Sequence, residues 1–501
     1  MARIAIKMND YSQYEKAQAE PDASSMIETF RAIGYSIQSA VADIIDNSIS
    51  AGARNVWVDF QWKGADTWLS IRDDGRGMDD RELIQAMRPG SRNPNEERSN
   101  EDLGRFGLGL KTASFSQCRK LTVISKRADS ESVFWTWDLD FVNQTGKWQL
   151  IKFLPPQFEG SRNNPGSGTI VIWNDLDRLV KNLREEDNSS LHKFLEIMEQ
   201  VKRHLAMVFH RFIESKRIDI FFQHAGVEVR KIEAWNPFLI DNHRTQKFPE
   251  ESIQNNRVII RGFVLPHKSK LSEEEFKMAE GPKGWNAQQG FYIYRNERLL
   301  LSGDWLGMFR KEEHYKLARI LIDLPNSLDP EWQIDIKKSV ARPPLSVRDQ
   351  LKAYANKVRS QAVEVYRHKG RILQRKYAGV QFQPVWQEKI RHGKRFYEIN
   401  REHPFIKALS QSLNGKSSEL EQILRFVEET IPVPLITIKE SEQPELQGQP
   451  FEDTDLEFLR KVMRQIYEKL LAEGKSADQA QSIILNIEPF NQFPHFIENL
   501  N

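Results

Sequence analysis

The stretch that most constrains this chain is residues 40–51, AVADIIDNSISA. Val41, Ile44, Ile45 and Ile49 recur at spacings of three and four, which predicts a helix with one apolar side. Asp43, Asn47 and Ser50 fall at i, i+4 and i+7 and stack on a single polar face. A carboxylate and a carboxamide one turn apart, flanked by apolar residues, suit a partly buried site. The carboxylate can take up a proton, and the amide oxygen can ligate a hard cation such as Mg²⁺. The same spacing would also serve an ordinary amphipathic helix, so the neighbouring motifs have to decide.

A chain of 501 residues is long enough for several domains, and three are expected. At 39% hydrophobic and 28% charged it reads as an ordinary globular protein, with 12 Trp and 28 Phe to fill its cores. The net charge of +2 gives no global signature for nucleic acid, so any such signal must be local. One cysteine, Cys118, excludes an internal disulfide and a cysteine-based zinc site. That fits a reducing cytoplasm. No apolar run approaches transmembrane length, and residues 1–16 lack the apolar centre of a signal peptide, so no membrane association is expected.

Residues 1–25 are polar and read as a strap, ending at a turn and a helix cap around Pro21 and Asp22. Residues 26–50 predict one or two helices broken near Gly34. Residues 55–62 alternate as a strand, and 67–72 predict a second strand. The second runs straight into Asp73-Asp-Gly-Arg-Gly-Met78. Two glycines two apart after a strand mark a tight turn where backbone approaches something closely. An aspartate ahead of it can point into a pocket and accept a hydrogen bond from an amine.

Residues 88–103 are rich in turn formers and predict a mobile loop. It leads into Gly104-Arg-Phe-Gly-Leu-Gly-Leu-Lys-Thr112 and a helix. Glycines before a helix offer backbone N–H groups to an anion, and Lys111 adds positive charge. The frame is neither that of a Walker A loop nor that of a dinucleotide fingerprint. Strands at 121–125, 132–138 and 168–173 and a helix over 189–214 complete an α/β sandwich with mostly antiparallel strands over the first ~215 residues.

In order and spacing, the Asp43/Asn47 helix, the Asp73 turn, the glycine-rich segment with its Lys and the Gly168-Thr169 pair on the late strand resemble the GHKL ATPase superfamily, the Bergerat-fold group of gyrase B, Hsp90, MutL and the histidine kinases. Phe106 and Lys111 in GRFGLGLK resemble the MORC and MutL side most. The resemblance implies ATP and Mg²⁺ as cofactors and a role for each matched position. Asp43 would be the general base and Asn47 the Mg²⁺ ligand. Asp73 would receive the adenine amino group, with Gly75, Gly77 and Met78 closing on the base. Gly104, Arg105, Phe106, Gly107, Leu108, Gly109 and Lys111 would form the lid over the phosphates. Thr169 would support Asp73. Two departures stand out. The family's usual base is Glu, one methylene longer than Asp43, and the family's Asp near the end of this helix is here Ser50.

From 216 the pattern shifts to a mixed α/β domain. A hairpin is predicted over 217–229, with strands over 255–264, 289–299 and 317–323. The segment 328–339 follows, closed by Pro343-Pro344. A domain of this kind after a GHKL domain resembles the S5-like transducer, whose lysine reaches the γ-phosphate. Lys337 and Lys338 are the candidates, and Lys338 is preferred. The domains are therefore expected at 26–215, 216–345 and, mostly helical, 346–501, with a linker over 440–452. The segment 348–395 is basic, with interleaved aromatics; residues 416–472 are more acidic.

The expectation is a Mg²⁺-ATPase whose nucleotide state drives lid closure and homodimerisation, as in a MORC-like clamp, with DNA held through 348–395. The resemblance to bacterial MORC-like proteins would imply defence against foreign DNA. Two alternatives stand beside it: an Hsp90-like chaperone with a protein client, and a nucleotide-gated binding module that hydrolyses little. A histidine kinase fits poorly, because no His-bearing dimerisation helix precedes the ATPase motifs.

Overall fold

The computed structural model describes residues 14–90, 109–163, 166–180, 187–224, 227, 229–335, 341–367, 383–391, 394–412, 417–433, 435, 456–490 and 493–497. The chain divides into two compact units, residues 1–360 and 361–501.

Unit one opens with α1 (Ala23–Ala32), capped by Asp22, whose carboxylate accepts from the Ser25 amide. Gly34, at φ +79, turns the chain into α2 (Ile37–Ser50), capped by Ser36. The strand β1 (Asn55–Gln61) alternates cleanly, burying Val56, Val58 and Phe60 and leaving Trp57 and Asp59 on the other face. It is followed by β2 (Trp68–Asp73) and α3 (Asp80–Met87), the latter held by an Asp79–Glu82 capping box. The sandwich then adds α4 (Gly109–Phe115), β3 (Lys120–Lys126), β4 (Val133–Asp138), α5 (Leu139–Thr145), β5 (Gly168–Asn174) and α6 (Asp177–Val180). The helices α7 (Asn188–Val208) and α8 (His210–Glu214) and the strands β6 (Asp219–His224) and β7 (Arg230–Lys231) complete it.

The first sheet has seven strands in the order β4-β3-β5-β2-β1-β6-β7. All its neighbours are antiparallel except β1 and β6. The hairpin assigned from sequence to the second domain thus belongs to the first sheet. Alternation predicts a strand but does not say which sheet it joins, and Asn55–Phe60 of β1 offers β6 an open edge.

A second sheet of six strands follows: β8 (Gln246–Lys247), β9 (Glu251–Ile253), β10 (Val258–Val264), β11 (Gly290–Arg295), β12 (Arg298–Asp304) and β13 (Ala318–Leu324), with α9 (Glu273–Glu280) between β10 and β11. A 3-10 turn over Asn326–Leu328 leads into turns over residues 329–333, with Leu328 and Trp332 buried. One core runs through both layers: Val41, Ile44 and Ile45 of α2, Phe194 and Leu205 of α7, and Phe263, Tyr292, Tyr294 and Leu299 of the second sheet. Polar contacts seal the join. His210 Nε2 lies 2.8 Å from the Tyr294 hydroxyl, and Arg211 pairs with Asp323 at 2.7 Å. The helix α10 (Leu345–Arg367) docks on the second sheet, where the Gly262 amide donates to the Tyr354 hydroxyl at 2.7 Å.

Unit two combines helices with a hairpin, β14 (Trp386–Arg391) and β15 (Lys394–Ile399), so the basic segment is partly strand where a helical region was expected. Its helices run Pro404–Ser412, Ser417–Thr430, Glu457–Ala472, Ala477–Ile484 and Pro494–Ile497. Arg401 ties the hairpin to Glu421 and Glu428. Among the described residues no helix is long and apolar enough to cross a membrane.

A candidate nucleotide site on the first sheet

The two carboxylates of α2 are more deeply placed than a solvated polar face would have them. Asp43 is 3% exposed and Asp46 1%, whereas Asn47 and Ser50 face outward. The Tyr35 hydroxyl donates to Asp43 Oδ2 at 3.0 Å. Burial, reinforced by the charge of Asp43, pushes the Tyr35 hydroxyl far above its ordinary value, so it stays a donor. Asp46 is gripped by Arg298 of β12, whose Nε lies 3.1 Å from each of its oxygens. The same guanidinium stands 3.5 Å from Asp43 Oδ1. Ser50, which departs from the family pattern, returns its hydroxyl to the Asp46 carbonyl at 2.9 Å.

Asp73 closes β2 and is 6% exposed. Its Oδ1 accepts from the Gly75 amide at 2.9 Å and the Thr169 amide at 3.2 Å. Its Oδ2 accepts from the Ser48 hydroxyl at 2.9 Å. A carboxylate offers about four acceptor positions, so one on Oδ2 remains. Burial pushes the Asp73 carboxyl up, opposed by these three donors. Asp74 staples the start of the turn, accepting from the Arg54 and Asn55 amides at 2.8 and 2.9 Å.

The turn after Asp73 is glycine-dependent at two points. A Cβ at Gly75 would stand 2.9 Å from Ala51 Cβ, and one at Gly77, where φ is +66, would overlap the Lys126 carbonyl. The Met78 amide donates to Ser125 Oγ at 2.9 Å, and Ser125 in turn lies 2.9 Å from Thr169 Oγ1. Thr169 therefore supports Asp73 through its amide, while its hydroxyl belongs to the Ser125 link. Ser48, Ser125, Tyr35 and Arg298 are the site residues that sequence reasoning missed. Ser48 alone carried a signal, since it lies one residue beyond Asn47.

Residues 104–108, and with them Gly104, Arg105, Phe106, Gly107 and Leu108, lie outside the described residues, as do Lys337 and Lys338. The described end of the glycine-rich segment lies beside Asp43: a Cβ on Gly109, which opens α4, would stand 4.0 Å from Asp43 Oδ2. Lys111 is 2% exposed and donates to the Ala86 carbonyl at 2.9 Å. That contact links α4 to α3. The charge of Asp335, two residues before Lys337, contributes to raising the Tyr35 hydroxyl.

A family profile described as "Histidine kinase-, DNA gyrase B-, and HSP90-like ATPase" matches residues 35–169, which span α2, the Asp73 turn and Thr169. This part of the chain is a GHKL ATPase domain. It is similar to MORC and MutL proteins. "ATPase morc-1" of Caenorhabditis elegans is 29% identical over 119 residues, covering 24% of this chain and 13% of that protein. The DNA mismatch repair protein MutL of Dictyoglomus turgidum is 30% identical over 118 residues, 23% of this chain and 20% of that protein. MutL of Shewanella denitrificans is 27% identical over 260 residues, 48% of this chain and 35% of that protein. The chain thus matches only about an eighth to a third of these relatives' own lengths.

Proposed function

We propose that this protein binds Mg²⁺-ATP in the first sheet's site and hydrolyses it. The observation that carries the reading is Asp73: a buried carboxylate held by three donors from three segments, with one acceptor position left for an exocyclic amine such as that of adenine. The glycines let the turn after Asp73 pack closely against Ala51 and Lys126, which fixes the backbone beside that carboxylate. Asn47, exposed one turn from Asp43, would hold Mg²⁺; a single protein ligand suits an ion that otherwise keeps water and phosphate oxygens. Such a cation would neutralise phosphate charge. Asp43 accepts the proton of the attacking water as oxygen bonds to the γ-phosphorus and the β–γ bridge breaks, releasing ADP and phosphate. Lys338, or Lys337 on the other face, offsets charge developing on the transferred group.

A nucleotide-gated module with slow turnover is the second reading. It is favoured by the occupancy of Asp43, whose short carboxylate faces Tyr35 on one oxygen and Arg298 on the other. On either reading, nucleotide binding would close the lid and bring two chains together. The clamped polymer would be DNA, as the word "DNA" in the MutL name suggests for that relative. Within 348–395, Lys357 pairs with Glu251 and Arg359 stacks 3.8 Å over Phe309 and Tyr315, so both are engaged in packing. The DNA contacts are therefore assigned to Arg367, Lys369, Arg371 and Arg375. The test is a turnover assay with and without DNA, with chain mass measured in a non-hydrolysable ATP analogue. Doubling of mass and stimulation that fades steeply with salt are expected. Turnover and mass indifferent to both additions would reject the clamp.

A further inference from the structure

A side chain of the second sheet reaches both carboxylates of α2. Arg298 opens β12, 252 residues from Asp46. Its Nε lies between the two Asp46 oxygens, Nη1 donates to the Leu299 carbonyl at 2.9 Å, and Nη2 faces Asp43 Oδ1 at 3.5 Å. Arg298 is itself 4% exposed, so three charged groups share a site nearly closed to water. The ring of Phe209 lies 5.7 Å from the guanidinium. His204 of α7 is kept neutral, its pKa pushed down to about 3 by burial and then by the charge of Arg298.

Buried charges persist when paired and hydrogen-bonded, and Asp46 alone would meet that need for Arg298. The second contact is what carries the inference. The guanidinium's far end faces Asp43, the candidate base, whose other oxygen takes the Tyr35 hydroxyl. Asp43 is thus flanked by its own layer on one side and by the second sheet on the other. A guanidinium is a planar, rigid fork, so displacement of β12 against α2 cannot leave both carboxylates in register.

We propose that Arg298 is a positioning residue that sets the orientation of Asp43 through Asp46 and transmits nucleotide occupancy from α2 to β12. The inference rests on the nucleotide reading above, and the test separates the two. Hydrogen exchange of the full chain is followed with and without a Mg²⁺-loaded non-hydrolysable ATP analogue, in wild type and in the double variant Arg298→Gln/Asp46→Asn. The double variant replaces the Arg298–Asp46 ion pair with a neutral hydrogen-bonded pair; Asp43 loses the nearby guanidinium charge and keeps the Tyr35 hydroxyl as its donor. In wild type the analogue slows exchange at both 73–78 and 298–304. In the variant the slowing at 73–78 stays and that at 298–304 disappears. Turnover of the variant falls about 100-fold, the scale of an ångström misplacement of a reacting group, while analogue affinity stays within about threefold. Slowing at 73–78 but not at 298–304 in wild type would overturn the inference alone, as would wild-type turnover in the variant. Absence of slowing at 73–78 in wild type would remove the nucleotide reading and this inference with it.

Discussion

The two ends of the candidate pocket are built on different plans. At the Asp73 end, every donor is neutral and every partner belongs to the GHKL domain: the Ser48 hydroxyl and the Gly75 and Thr169 amides. At the Asp43 end, a cation from the second sheet stands beside the carboxylate. On the proposed reading, recognition of a base would be local to one layer, whereas chemistry would depend on two layers being in register. Damage at the join should spare binding and harm turnover.

The largest break in that contrast is Asp43→Ala. Losing a general base lowers turnover by about 10²–10⁴-fold, and analogue affinity should hold, because Asp73 and its donors are untouched. Steady-state kinetics alongside calorimetry check this; turnover equal to wild type would move the base elsewhere, with Asp46 next. Lys338→Ala should lower turnover by about 10²–10³-fold, the scale for one lost donor to developing charge, with adenine recognition intact. A large effect at Lys337 instead would reverse the choice of face, and silence at both would end the assignment of a transducer lysine.

The opposite end is broken by Gly77→Ala. The added methyl meets the Lys126 carbonyl at a left-handed backbone, so about 1–3 kcal/mol of stability should be lost, seen as a lower melting temperature together with weaker nucleotide binding. The join itself is probed more gently by pH. The His204 pKa is about 3 in the folded chain and 6.5 when unperturbed, so below pH 6.5 the unfolded chain takes up a proton that the folded one refuses. Stability should fall as pH drops from 6.5 toward 3, by at most about 1.4 kcal/mol per pH unit from this group. His204→Gln should flatten that slope in denaturant titrations; an unchanged slope would show that His204 titrates normally.

The contrast also explains what could be seen in the chain beforehand. Asp43, Asn47, Asp73, Gly75 and Gly77 are legible because helix periodicity and strand-to-turn junctions place them by local rules, and Thr169 is legible through the family resemblance. Tyr35 and Ser125 are not, since neither carries a pattern of its own; only the packing of α2, β3 and β5 brings them to the site. Arg298 sits in an arginine-containing strand start like many others, and nothing short of the two-sheet core brings it to α2. Lys111 was legible as a charge but not as a buried one, because its partner is a carbonyl at Ala86. The same limit applies to β6, whose alternation was plain and whose sheet was not, and to β14 and β15, where basic residues between aromatics suggested a helical region.

The central claim is that Asp73 recognises a nucleotide base, and calorimetric titration of wild type and Asp73→Asn with a Mg²⁺-loaded ATP analogue tests it most directly. The asparagine oxygen can still accept from the Gly75 and Thr169 amides, and its amide can donate to Ser48, so the turn should survive. What changes is the acceptor position left for the ligand, which becomes a donor facing another donor. The account predicts saturable binding in wild type and a loss of about tenfold or more in the variant, the scale of a lost hydrogen bond to a charged acceptor. Equal affinity in the two proteins would contradict it.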